Sequence, residues 1–114
     1  MNKQKLQGCQ AKHDKLTKEL FFHPADCGLD GIVLSCRESI LLKPNGNIHG
    51  SPDNLLFDPV KKVLYQVEYK VRGNESHAKA QLRRDSILLK QLFPDYTVRS
   101  IYMDGTGAVK YYNR

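Results

Sequence analysis

The sequence predicts a single mixed α/β (α+β) domain over residues 1–114. Three observations point there. A long helical stretch opens the chain, a strictly alternating strand runs near its middle, and a second helical stretch precedes two final strand-like runs. With 114 residues and 40% hydrophobic content, the chain has material for one core, not two.

Residues 3–22 read as the first helix. Leu6, His13, Leu16, Leu20 and Phe21 recur near helical spacing among polar and basic neighbours. His23-Pro24 ends it, because a residue before proline avoids the helical region. After a loop containing Gly28 and Gly31, Ile32–Leu34 and Ser39–Lys43 are short apolar runs expected as strands. Pro44-Asn45-Gly46-Asn47 is a turn signal. Ile48 to Phe57 reads as one strand entered through Pro52, and Asp58-Pro59 as the turn after it.

The clearest strand is Lys62 to Val71. Val63, Tyr65, Val67, Tyr69 and Val71 form a β-branched and aromatic face that must be buried. Leu64, Gln66, Glu68 and Lys70 form the other face, which turns polar towards its end. Arg72-Gly73-Asn74 breaks the strand. The second helix is expected from Glu75 to Phe93, capped by Asn74 or Ser76 and stopped by Pro94. Tyr96 to Met103 and Ala108 to Tyr112 should pair through the turn Asp104-Gly105-Thr106-Gly107.

Composition narrows the function. No apolar run approaches the roughly 18–20 residues of a membrane span, so no membrane partner is expected. The opening MNKQKLQGCQAKHDK has no apolar stretch, so no secretory signal is expected and the cytoplasm is the default compartment. Three widely spaced cysteines do not make a disulfide framework. Cys9-x3-His13 and His23-x3-Cys27 offer soft ligands for zinc. Neither is a short Cys-x2-Cys knuckle, and Pro24 interrupts the second pair, so free cysteines and histidines are the expectation. The net charge is +6. Basic residues gather in the first helix and again from Lys70 to Lys90, a distribution that suits a polyanion partner, most often nucleic acid. A solvated helix surface accounts for the same charges equally well.

One constellation carries chemistry. Glu68 and Lys70, two apart, project from one strand face. Asp53 lies 15 residues upstream at the mouth of another expected strand. Two carboxylates from neighbouring strands can hold a hard divalent cation through oxygen. A lysine beside them can orient the attacking water or offset phosphate charge. An exposed Glu–Lys pair on an edge strand, with Pro52-Asp53 as a plain turn, is the bland alternative.

Pro52-Asp53 followed by Glu68-Tyr69-Lys70 resembles the PD-(D/E)xK nuclease superfamily. Gly50-Ser51-Pro52-Asp53-Asn54-Leu55-Leu56 resembles that family's strand-opening segment, and Gln66 to Lys70 its third-motif strand. The resemblance spans about Lys12 to Met103 and fits both Holliday-junction resolvases and phage-type recombination exonucleases. It implies a restriction-endonuclease-like core, a mixed β-sheet flanked by helices. It also implies hydrolysis of DNA phosphodiester bonds in branched or duplex substrates with Mg²⁺ or Mn²⁺. Asp53, Glu68 and the backbone carbonyl of Tyr69 would hold the metal, and Lys70 would position or activate water. By the same resemblance Glu19 of the first helix would add an acid, a role for which Glu38 competes, and Gln81 of the second helix would lie near the site. Lys15, Lys18, Arg72, Lys79, Arg83 and Arg84 would grip phosphates, and pairing into a homodimer would present two sites to two strands. The rival functions are a nucleic-acid-binding module with this fold but no activity, and a small protein-interaction domain.

Overall fold

The computed structural model describes residues 3–70, 75–105 and 109–113, with residues 3–12 and 113 described by backbone alone. Helix α1 (Lys3–Phe22) is followed by a short 3₁₀ turn (Pro24–Cys27). Then come strands β1 (Leu34–Arg37), β2 (Leu41–Leu42), β3 (Ile48–Gly50), β4 (Asn54–Asp58) and β5 (Val63–Lys70). Helix α2 (Glu75–Leu92) leads to β6 (Thr97–Asp104) and β7 (Val109–Asn113). Five strands form one mixed sheet in the order β1-β4-β5-β6-β7, and β2-β3 is a separate hairpin. Among the described residues only β5 and β6 run parallel, and α2 supplies the crossover that a parallel pair requires.

β5 is the central strand, which explains its burial on both faces. On one face Val67 joins Leu20 of α1, Leu29, Leu56 and Ile101, with Leu16 and Tyr65 packed against them. On the other, Leu64 joins Leu41, Leu55, Phe57, Leu89 of α2 and Val98. The face expected to turn polar towards its end is therefore also a core face. Gln66 is fully buried there, and its side-chain amide donates to the Leu82 carbonyl of α2 (2.7 Å) and to Ser100 Oγ on β6 (2.7 Å). Buried polar side chains persist when they are bonded. Here the amide tethers the helix to two strands.

The sequence reading of both helices and of β5, β6 and β7 lies within two residues of the observed bounds. Val71, Arg72, the Asn74 cap and the Thr106–Ala108 part of the last turn lie outside the described residues. Earlier in the chain the reading needs correction. The run expected as one strand from Ile48 to Phe57 is two strands in two sheets. Pro52 has no N–H to give a ladder, and Ser51–Asp53 bends the chain out of the hairpin and into the main sheet. Ile32–Leu34 shifts to Leu34–Arg37, because register against β4 pairs Leu34 with Phe57 and Arg37 with Asn54. Ile32 packs on the α1-side cluster instead. The strand expected over Ser39–Lys43 shrinks to Leu41–Leu42, with Glu38 at a positive φ of 57° just before it.

The hairpin is pinned to α2 by a close approach. Gly50 lies directly against the Asp85 carboxylate, with the Arg84 guanidinium beside it, so a β-carbon at position 50 has no room. Gly50→Ala should therefore cost about 1–3 kcal/mol through forced displacement, the usual scale of overpacking. The cost should shrink when Asp85→Ala is also present, because the obstacle is then gone. Denaturant midpoints of the two single variants and the double variant measure this coupling. Additive losses would show that Gly50 and Asp85 do not constrain each other.

Candidate active site at the end of strands β4 and β5

The site forms where β4 begins and β5 ends. Asn54 pairs with Val67, so one further step of the antiparallel register sets Asp53 beside Glu68. The Tyr69 backbone N–H donates to Asp53 Oδ2 at 2.7 Å. An extended residue points its N–H and C=O to the same side. The Tyr69 carbonyl is thus directed to the side of the strand that Asp53 occupies. The Asp53 carbonyl accepts from the Glu38 N–H at 2.9 Å, which fixes the bend that delivers the aspartate.

Asp53 and Glu68 are in hydrogen-bond contact, and Lys70 Nζ lies 3.8 Å from Glu68 Oε1. Glu68 is only 5% exposed. Burial, then repulsion from Asp53, raises its proton affinity to about 8 against the pull of Lys70, and the charge of Asp85 raises it further. At neutral pH the Glu68 carboxyl is mostly protonated and donates to the Asp53 carboxylate. The exposed edge-strand alternative does not hold, since Glu68 sits on the central strand under α2.

Two further groups reach this cluster that the sequence reading did not assign to it. His13 Nε2 lies 2.9 Å from Asp53 Oδ1, and its ring packs 5.7 Å from that of Tyr69. Asp85 on α2 is 2% exposed, with Arg84 Nε at 3.2 Å and His49 Nε2 at 3.9 Å from its Oδ1. Burial raises the Asp85 pKa, and Arg84 and His49 hold it down in part. Both residues left a trace in the sequence. His13 is a polar residue inside the apolar stripe of α1, and Asp85 falls at core spacing between Leu82 and Leu89.

The remaining sequence candidates divide. Glu19 is exposed on α1, and its charge acts on Cys27 at the far end of the helix, so the fold does not bring it to Asp53 and Glu68. The helical rotation of α1 places His13 and Thr17 inward instead. Glu38 is exposed and touches the site only through its backbone. Gln81 lies half-buried on α2 one turn before Asp85, with its side-chain oxygen buried and unbonded. Lys15, Lys18, Lys79, Arg83 and Arg84 are exposed. Arg84 is nevertheless engaged with Asp85, and Lys79 lies over the Tyr112 ring at 5.4 Å. Arg72 lies outside the described residues. Of the soft-ligand candidates, His13 is bonded to Asp53 and Cys27 is free and exposed, while the Cys9 side chain lies outside the described ones. No group of three or more histidine, cysteine or acidic side chains is arranged to hold a metal among them.

The proton on Glu68 has a consequence for stability. Unfolded, a glutamate titrates near pH 4.3, whereas folded Glu68 titrates near 8. Between those values the native state keeps a proton that the unfolded state has lost. Stability therefore falls as pH rises across that window and levels off above it. Glu68→Gln mimics the protonated carboxyl at every pH. In chelator, the stability of the variant relative to the wild type should rise by about 2–4 kcal/mol between pH 5 and pH 8.5, since each unit of pKa shift is worth about 1.4 kcal/mol. Unfolding midpoints across pH test this, and a difference that stays constant from pH 5 to 8.5 contradicts it.

No protein family, no curated protein and no solved structure matches the chain.

Proposed function

We propose that this chain is a divalent-metal-dependent nuclease with a restriction-endonuclease-like core, cleaving phosphodiester bonds in DNA. The observation that carries the reading is the contact between the Asp53 and Glu68 carboxylates, with Lys70 3.8 Å from Glu68. The order of elements supports it: one helix, three antiparallel main-sheet strands, a second helix, then a strand parallel to the third. That order suits the sheet-and-helix core the sequence resemblance implies.

The donor set suits Mg²⁺ or Mn²⁺. Two carboxylates and a backbone carbonyl are hard oxygen donors, and Mg²⁺ is usually bound by one or two carboxylates with water filling the rest. A bound divalent cation would lower the pKa of a water and offset charge on the scissile phosphate. The chain's own residues do the remaining work. Asp53, held at both oxygens by His13 and the Tyr69 N–H, presents fixed lone pairs. Glu68 releases its proton when it becomes a ligand, so occupancy should strengthen as pH rises towards 8. Lys70 is the cation placed to orient a nucleophile and to face the developing phosphate charge. Lys15, Lys18 and Arg83 supply exposed positive charge for phosphate contacts that carry no sequence information.

Single-turnover cleavage of a branched junction and a plain duplex, beside salt-dependent binding in Ca²⁺, tests the reading. Asp53→Asn and Lys70→Ala should each lower cleavage by at least about 10²-fold, the scale of losing one transition-state charge contact. DNA affinity should stay within a few-fold, because one charge among the chain's 18 basic residues is a small share of the grip. Arg83→Ala should flatten the salt slope by about one unit. Removal of the divalent ion with chelator should abolish cleavage. Wild-type protein that binds both substrates and cuts neither, in Mg²⁺ or Mn²⁺, would replace this reading with an inactive binding module.

A further inference from the structure

Helix α1 grips the metal-ligand candidate at two points one turn apart. His13 Nε2 lies 2.9 Å from Asp53 Oδ1. Four residues on, the Thr17 carbonyl accepts from Asn54 Nδ2 at 3.0 Å, and Thr17 is fully buried. Residues four apart stack on one helix face. The pair of contacts therefore clamps the Asp53–Asn54 step to a single turn of α1. The clamp reaches β5 as well. The His13 ring packs against that of Tyr69, whose N–H holds the other oxygen of Asp53 at 2.7 Å. The carboxylate is thus fixed from both sides, by α1 at Oδ1 and by β5 at Oδ2.

We infer that His13 is a positioning residue: it aims the Asp53 carboxylate at the point shared with Glu68, so that docking of α1 assembles the metal site. Metal affinity as a consequence rests on the nuclease reading above; the positioning of Asp53 does not. The role does not require His13 to touch metal or substrate. A ligand's outer partners orient it, and removing one commonly costs 10–100-fold in metal affinity or activity. Glutamine can reach with a side-chain amide donor, so it should recover much of the function, whereas alanine cannot.

Two measurements on the full chain separate the inference from the nuclease reading. The first is amide exchange at Tyr69 in metal-free protein. His13→Ala frees Asp53 to rotate, so Tyr69 N–H protection should fall by about tenfold, while amides that point to β6, such as that of Gln66, keep theirs. The second is Mn²⁺ binding without DNA, followed by electron paramagnetic resonance. His13→Ala should weaken it by about 10–100-fold, and His13→Gln should stay within a few-fold of wild type. Thr17→Val, which leaves the backbone carbonyl and its bond to Asn54, should bind Mn²⁺ like wild type. If Tyr69 protection is unchanged in His13→Ala, the positioning role is overturned whatever the metal result. If protection falls but wild-type protein binds no Mn²⁺, the nuclease reading fails and the positioning of Asp53 stands. If His13→Gln binds Mn²⁺ as weakly as His13→Ala while restoring Tyr69 protection, His13 is itself a metal ligand and the inference is wrong.

Discussion

Two carboxyl groups brought into contact under a helix set the terms for everything around them. Unit charges about 4 Å apart repel by about 4 kcal/mol at the effective dielectric of a protein surface, and more strongly further inside. Asp53 and Glu68 escape that cost by sharing a proton, which, after burial, is the reason Glu68 holds it to about pH 8. The arrangement has a low-energy state with one proton in place, and under the proposed function a cation would take the proton's place. The surrounding groups pull the proton in opposite directions. Lys70 favours the ionised form of Glu68, while burial and the charge of Asp85 oppose it.

The sheet supplies the geometry for this contact and the helices supply its environment. Register alone sets Asp53 beside Glu68, since β4 and β5 pair from Asn54 to Asp58 and from Val63 to Val67. Register alone would leave Glu68 wet, however. α2 covers that face, and its close approach depends on Gln66 reaching the Leu82 carbonyl and on Gly50 yielding space to Asp85. A buried polar side chain in the middle of a sheet is usually a liability. Here Gln66 bonds α2 in the position that dries Glu68, so the polar core and the candidate chemistry are parts of one structural solution.

Much of the fold was legible because its longest elements carry their period openly. The alternation from Val63 to Tyr69 identifies β5, and proline or glycine punctuates both helices. The first half of the sheet was less legible. β1 is an edge strand with Ser35 and Arg37 in it, so its apolar signal is weak, and its register comes from β4 rather than from its own residues. The break at Pro52 was visible, but whether the chain bends there or runs on is decided by the bonds that Asp53 makes afterwards. The site divides in the same way. Asp53, Glu68 and Lys70 stand at readable spacing within or beside strong strand signals. The resemblance asks for an acid on the first helix, so it points to Glu19 and is silent on His13. The rotation of α1 that turns residue 13 inward and residue 19 outward is set by packing of Leu16 and Leu20 on the sheet. Asp85 is hard to read for a related reason: an acid on a charged helix looks solvated until the hairpin closes over it.

The candidate site is therefore a tertiary property, although its motif is local. The largest cause of the raised proton affinity of Glu68 is burial, and burial comes from α2, 16 residues further along the chain by its contact with Gln66. The aim of Asp53 comes from α1, 40 residues before it. A peptide with the sequence from Asp53 to Lys70 would hold the same three side chains with Glu68 in the ordinary carboxylate range and no common focus. Both helices bear on one pair of carboxyls, one by drying and one by orienting. A change in how either helix docks must then alter proton affinity and geometry at the pair together.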